Sequence, residues 1–130
     1  MDILRGIMAK NKSKLPNLQA SIIDIAVEAW RFRRVFSNAI SKLETTESSR
    51  YSNQYLYFFK KVESAIENAN LKIINVEGKK YDIGLPVSPL NMEEFSQDDI
   101  LVIDQMIEPI IMDSGKVLKS GTVILRRLEE

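Results

Sequence analysis

The sequence predicts an α+β fold in which a long N-terminal helix pair, a bundle-like or coiled-coil-like stalk, is followed by a small antiparallel β module. Three observations carry this. Apolar residues recur at steps of three and four from Asn17 to about Glu44, and a second such pattern runs from about Arg50 to Asn70. From Ile100 to Arg127, short β-branched runs are separated by Asp-Ser-Gly and Ser-Gly, the signature of a meander with tight turns. The expected organisation is a tail over 1–16, a helical stalk over 17–70 and a β head over 71–130.

The tail gathers Arg5, Lys10, Lys12 and Lys14 around a few apolar residues and ends at Pro16. It reads either as a frayed or weakly helical end or as a short amphipathic helix for a partner or lipid surface. In the first helix Leu18, Ile22, Ile25, Ala29, Phe32, Phe36, Ala39 and Leu43 alternate steps of four and three, the seam of a packed helix pair. Ile23, Ala26, Trp30, Val35 and Ile40 widen that seam beyond what a two-stranded coiled coil uses, which calls for a bundle. Thr45 to Ser49 is polar and rich in capping side chains and is expected to turn the chain. The second helix carries Tyr55, Phe58, Phe59, Val62, Ala65, Ile66 and Ala69 on its apolar side. Two faces this broad exceed what one hairpin covers. A homodimer forming a four-helix bundle is therefore expected, with Trp30, Phe32, Phe36, Tyr55 and Phe58 at its interface; the alternative places the same aromatics in the core of one chain.

Past a boundary at Asn70, Leu71 to Val76 alternates apolar and polar residues and reads as a strand. Pro86 and Pro89 bracket an extended segment. Asn91 stands three residues before Glu94, which suits one capped helical turn, and Pro109 puts its segment at a sheet edge or bulge.

The 130 residues hold 18 basic and 18 acidic side chains, so no overall field draws the chain to nucleic acid or to an anionic membrane. Without cysteine there is no disulfide framework, thiolate metal site or cysteine nucleophile, and without histidine the commonest general base is missing. No apolar run approaches the roughly 20 residues that span a bilayer. A soluble, cytoplasmic protein with no membrane span is expected. Asp98 with Asp99, Glu93 with Glu94, and Asp104 with Glu108 read as solvated or capping carboxylates rather than as a hydrolase or metal site. Gly115-Lys116 lacks the upstream glycine and the following helix of a phosphate loop. Lys116, Lys119, Arg126 and Arg127 form a basic group on the meander, but Phe95 is the only aromatic from residue 84 onward, which leaves nothing to stack on bases. The expectation is a protein that grips another protein, not an enzyme, and one that needs no cofactor.

Four segments sharpen that expectation. Val62 to Ile74 passes from helix to strand, Gly78-Lys79-Lys80-Tyr81-Asp82 forms a turn, and Ile100 to Ile103 opens a strand. Ser114 to Leu125 then closes with glycine, a base, two apolar residues, a base, two small residues and a β-run. In this order and spacing, over roughly Tyr55 to Leu125, the chain resembles the GrpE family, nucleotide exchange factors of DnaK-type chaperones. The resemblance implies a non-enzymatic helper of protein folding. Its β head would wedge against the nucleotide-binding domain of the chaperone, favour the open form and so release ADP, while the helices dimerise; such a factor works only through higher affinity for the open state. By position the contacts implied are Tyr81 and Ile83 from the turn, Met106 from the long strand, and Lys116 and Lys119 from the hairpin. The two lysines stand where the family uses arginine, which keeps the charge and loses the planar fork. The competing reading is an interaction or scaffold module whose β head binds another partner without exchange.

Overall fold

The computed structural model describes the backbone of residues 2–129 and the side chains of residues 17–129. Two helices come first, α1 over Asp2–Ile40 and α2 over Thr45–Asn68. α1 thus begins well before Asn17 and runs through Pro16; what the basic side chains of the tail do lies outside the described residues. The link between the helices is also earlier than the sequence reading places it. Lys42 and Leu43 donate to the carbonyls of Ala39 and Ile40, tightening the end of α1, and Glu44 then caps α2 with an extended backbone. Thr45 to Ser49 forms the first turn of α2 instead of the link. Short polar side chains are at home there, because the first N–H groups of a helix have no intrahelical acceptor, and Glu47 suits the positive end of the helix dipole.

The boundary at Asn70 is where the sequence reading puts it, and its geometry explains why. Asn70 takes a left-handed φ of 63°. Its N–H bonds the carbonyl of Glu67, and the N–H of Leu71 reaches back to Ile66, 3.1 Å away. This is the Schellman ending, and its usual apolar contact is present, since Ile66 and Leu71 are both buried in one cluster. The chain leaves it directly into a strand.

Six strands follow: β1 Lys72–Ile74, β2 Val87–Pro89, β3 Leu101–Glu108, β4 Ile110–Asp113, β5 Lys116–Lys119 and β6 Gly121–Arg127. A single 3-10 turn, Met92–Glu94, lies between β2 and β3. The α+β order of helix pair and then β module is as the sequence predicts. β3 with β4, and β5 with β6, are each one strand broken once, at Pro109 and at Ser120. Together they make one long bent hairpin whose tip is Ser114-Gly115, with φ of 47° and 83°, the pair of positive values that a type I′ turn requires. The tip half pairs with β1 to give the sheet β1-β4-β5, and the base half pairs with β2 to give β2-β6-β3. The β2–β6 pair is parallel, which corrects the expectation of an all-antiparallel module. β2 arrives through a long loop, not a hairpin, so no tight turn dictates its direction. Gly121 sits at the bend, where a Cβ would come within 2.8 Å of the Met106 methyl and 3.1 Å of Ile110.

The core crosses the boundary at Asn70. One cluster sets Trp30 of α1 among Val76, Leu101, Ile103, Met106, Ile110, Val123 and Leu125 of the β module; a second joins Ala26 and Ile66 to Leu71 and Ile111. The helices and strands are therefore one packed unit, not a separate stalk and head. Two expected surface residues are corrected by this. Trp30 is 2% exposed, and its indole N–H donates to the Met106 carbonyl at 2.7 Å, so it belongs to the core of one chain and not to a dimer interface. Met106 is 0% exposed, and its sulfur accepts the Val76 N–H, so it touches no partner. The contact that the resemblance implies for Met106 fails because β3 carries register shifts between Ile103 and Gln105 and between Met106 and Glu108, and each one changes which side chains face inward.

Candidate functional site

Of the remaining residues assigned to partner contact, Tyr81, Ile83 and Lys116 fall at the two ends of the long hairpin, and Lys119 at its bend beside Ser120. At its base, the N–H groups of Gly78 and Tyr81 bond the carbonyls of Ile103 and Leu101, laying the segment along the free edge of β3. Tyr81 is half-buried against the core. Ile83 follows on a turn braced by Asp82, whose side chain accepts the Gly84 N–H and whose carbonyl accepts that of Leu85. Ile83 is 91% exposed, a large apolar side chain held out in water on a fixed loop. At the tip, Lys116 opens β5 opposite Asp113 and is exposed, with Val117 beside it. The structure thus does not gather Tyr81, Ile83 and Lys116 into one patch.

Ion pairing separates the basic group into structural and free members. Arg126 lies 3.3 Å from Asp104, Arg127 lies 3.0 Å from Asp99, and Lys119 lies 3.5 Å from Glu108. Among the described residues Lys116 alone of the four forms no ion pair. Two of the acidic clusters of the sequence therefore supply partners for these bases. Asp99 has its carboxyl held below the ordinary value by the N–H of Ser96 and then by Arg127. Asn91 stands at the N-cap of the Met92–Glu94 turn as expected, its carbonyl accepting the Glu94 N–H, while its side chain clasps β6, accepting the Leu125 N–H and donating to the Leu125 carbonyl, each at 2.9 Å.

Glu108 is the hub of this network. Arg31 of α1 approaches it to 2.7 Å, Thr122 of β6 donates its hydroxyl at 3.1 Å, and Lys119 of β5 completes the set. Burial alone would raise its carboxyl, but Thr122, Lys119 and Arg31 outweigh burial and hold it below its ordinary 4.5. A carboxyl lowered by folding stabilises the fold above its ordinary value, and that stability is lost as pH falls through the folded value. Glu108→Gln is thus expected to lower stability at neutral pH by on the order of 1 kcal/mol. The gap to the native chain, read from urea midpoints, should close as the solution is acidified below pH 4.5. A gap that stays constant with pH would mean that the ionised carboxylate contributes nothing.

The helices offer a third surface. Phe32 stacks on Phe36 with centroids 5.3 Å apart, Phe32 meets Phe58 of α2 edge-on at 6.4 Å, and Phe36 meets Tyr55 at 6.1 Å. These aromatics tie α1 to α2, yet Phe32 is 51% and Phe58 47% exposed. Leu18 and Ile25 extend the exposed row along α1, Leu43 continues it in the link between the helices, and Tyr51 extends it along α2. Of the five aromatics expected at a dimer interface, Phe32, Phe36, Tyr55 and Phe58 are thus brought together on the hairpin surface, while Trp30 points the other way, into the β module. Sequence reasoning overlooked a different feature, the run Arg31-Phe32-Arg33-Arg34, whose cations and aromatic at adjacent positions serve opposite faces of α1.

Among the described residues no group of His, Cys, Asp or Glu is placed to hold a metal ion, and no helix is long and apolar enough to cross a membrane. Comparisons with protein-family models, curated proteins and solved structures give no match.

Proposed function

We propose that the chain is a GrpE-like exchange factor, a non-enzymatic homodimer that binds the nucleotide-binding domain of a DnaK-type chaperone in the cytoplasm and promotes ADP release. The observation that carries this reading is the pairing of an apolar outer helix face with a rigid β module that holds Ile83 and Lys116 out at its two ends. The four segments that carry the resemblance also fall in order on the passage from α2 to β1, the turn along β3, β3 itself, and the stretch from β4 to β6. Ile83 supplies buried contact area on binding and Lys116 an orienting charge. Tyr81 braces the loop. Lys119 is tied to Glu108, so its reversal would test the fold and not the partner.

The test is release of labelled ADP from a DnaK-type chaperone in the presence of the full chain. Acceleration is expected, and Ile83→Ser with Lys116→Glu should weaken binding by about tenfold or more, as loss of one anchor and one complementary charge does. The melting point of that variant should not move, since both side chains are exposed. Binding without acceleration would favour the scaffold module. No binding to the chaperone would overturn the proposal.

A further inference from the structure

We infer that a cleft between α1 and β3 binds a short peptide segment in which a carboxylate is flanked by apolar residues. The cleft measures about 830 Å³. Arg34, Ser37 and Asn38 of α1, with Ser41 just past its end, line one side, Arg34 standing three and four residues before Ser37 and Asn38 on one face, and Gln105 and Ile107 of β3 line the other.

Its three arginines are not equivalent. Arg31 is held by Glu108 at 2.7 Å and Glu28 at 3.6 Å. Arg33 is 3.5 Å from Glu77 and lies over the Trp30 and Phe59 rings, 4.6 and 5.6 Å from their centroids. Arg34 meets only a neutral group, the Gln105 side-chain oxygen at 2.8 Å, and among the described residues it takes part in no ion pair. Gln105 stands at the register shift that follows Ile103, and such a bulge re-aims a side chain. The strand therefore presents an acceptor that fixes a guanidinium on a rigid helix while leaving its charge unanswered. A planar fork with one N–H engaged keeps the others for a carboxylate, and fixing it beforehand lowers the entropy lost on binding.

The surroundings select a peptide over a polyphosphate. Glu77 lines the cleft against Arg33, and Glu28 and Glu108 hold Arg31, so a row of phosphates would meet carboxylates beside the one guanidinium left without an ion pair. Ser37, Asn38 and Ser41 bring the donors and acceptors that peptide backbone groups use, and exposed Val35 with half-buried Ile107 gives apolar side chains a wall to cover. The site shares no residue with the Ile83 and Lys116 surfaces and does not depend on the identity of the chaperone partner.

The test is capture of the full chain on three immobilised libraries of short peptides, with Glu, Gln or Lys fixed at the centre and random flanks. Capture on the Glu library is expected to exceed that on the Gln library by about tenfold, the effect of one charge-assisted bidentate pair, with Leu, Ile and Val enriched in the flanks. Arg34→Gln should erase the difference, and Arg34→Lys should restore part of it. Should Arg34→Gln fail to fold, Asn38→Glu places a repelling charge in the same cleft and should erase the difference too. Equal capture on the Glu and Gln libraries overturns the inference, as does capture that survives both Arg34→Gln and Asn38→Glu. Displacement of the Glu peptides by an RNA oligonucleotide or by inorganic phosphate at lower concentration than by free acidic peptide would assign the cleft to phosphate and overturn it equally.

Discussion

Trp30→Ala is expected to destabilise the fold by about 3–5 kcal/mol, the usual cost of deleting a buried aromatic. That is a large part of the roughly 5–15 kcal/mol by which domains of this kind are stable. Two effects act together. The indole fills the join between α1 and the β module among Met106, Ile110 and Val123, so its loss opens a cavity where the two layers meet. It also supplies the N–H held 2.7 Å from the buried Met106 carbonyl, which would be left without that donor. Trp30→Phe separates the two effects, since it keeps most of the ring volume and removes the N–H, and about 1–2 kcal/mol is expected. Urea unfolding followed by circular dichroism is the suitable readout, because the chain has 1 tryptophan and the variants lose its fluorescence. A Trp30→Ala chain within about 1 kcal/mol of the native one would show that the helices and strands are stabilised independently, against the shared core.

Trp30 also marks where the sequence stops being legible. The apolar steps of three and four announce both helices, and Asn70 before an alternating run announces their end, because period and capping are local properties of the chain. The direction in which each part of a wide apolar face looks is not local. Leu18, Ile25 and Phe32 belong to the same seam as Ala29, yet Ala29 is buried and the other three stand in solvent. Only the arrival of β3 against the flank that carries Trp30 decides between them. The inward direction of Met106 is hidden for a related reason, since the register shifts on either side of it leave no local signal in the sequence. The parallel pairing of β2 with β6 depends on how a loop of the β module returns, which no short motif encodes. At the candidate sites, Ile83 and Lys116 come from the sequence only as positions that the family resemblance implies, and the structure shows both to be exposed. The lone charge of Arg34 is not legible in the sequence, because it follows from Gln105, far along the chain, offering a neutral acceptor.

Phe32→Asp combined with Phe58→Asp is expected to convert a dimer into a folded monomer. The exposed row on α1 runs from Leu18 through Ile25 to Phe32, about 21 Å at 1.5 Å per residue, and Leu43 continues it in the link beyond the helix. A strip of that length and one side chain in width, broadened by Tyr51 and Phe58 of α2, is at or above the few hundred Å² of contiguous apolar surface that monomers usually leave in water. A second copy related by a two-fold axis would cover it with an identical strip and complete a four-helix bundle. At the centre of such an interface each aromatic acts as an anchor of about 2 kcal/mol, so the double change should weaken association by at least ~100-fold. Two carboxylates on each copy would then face two on the other in a dry contact, and that repulsion adds to the loss. The monomer should keep its helices, because Phe32 and Phe58 are half-exposed within one chain and the cores around Trp30 and Ile66 do not include them. Its melting point should fall only by the part of stability that dimerisation supplies, a part that grows with protein concentration in the native chain and is absent in the variant. Sedimentation equilibrium at tens of micromolar decides the matter. A monomeric native chain, or a double variant that still dimerises, would show that the exposed aromatic row is not what holds two copies together.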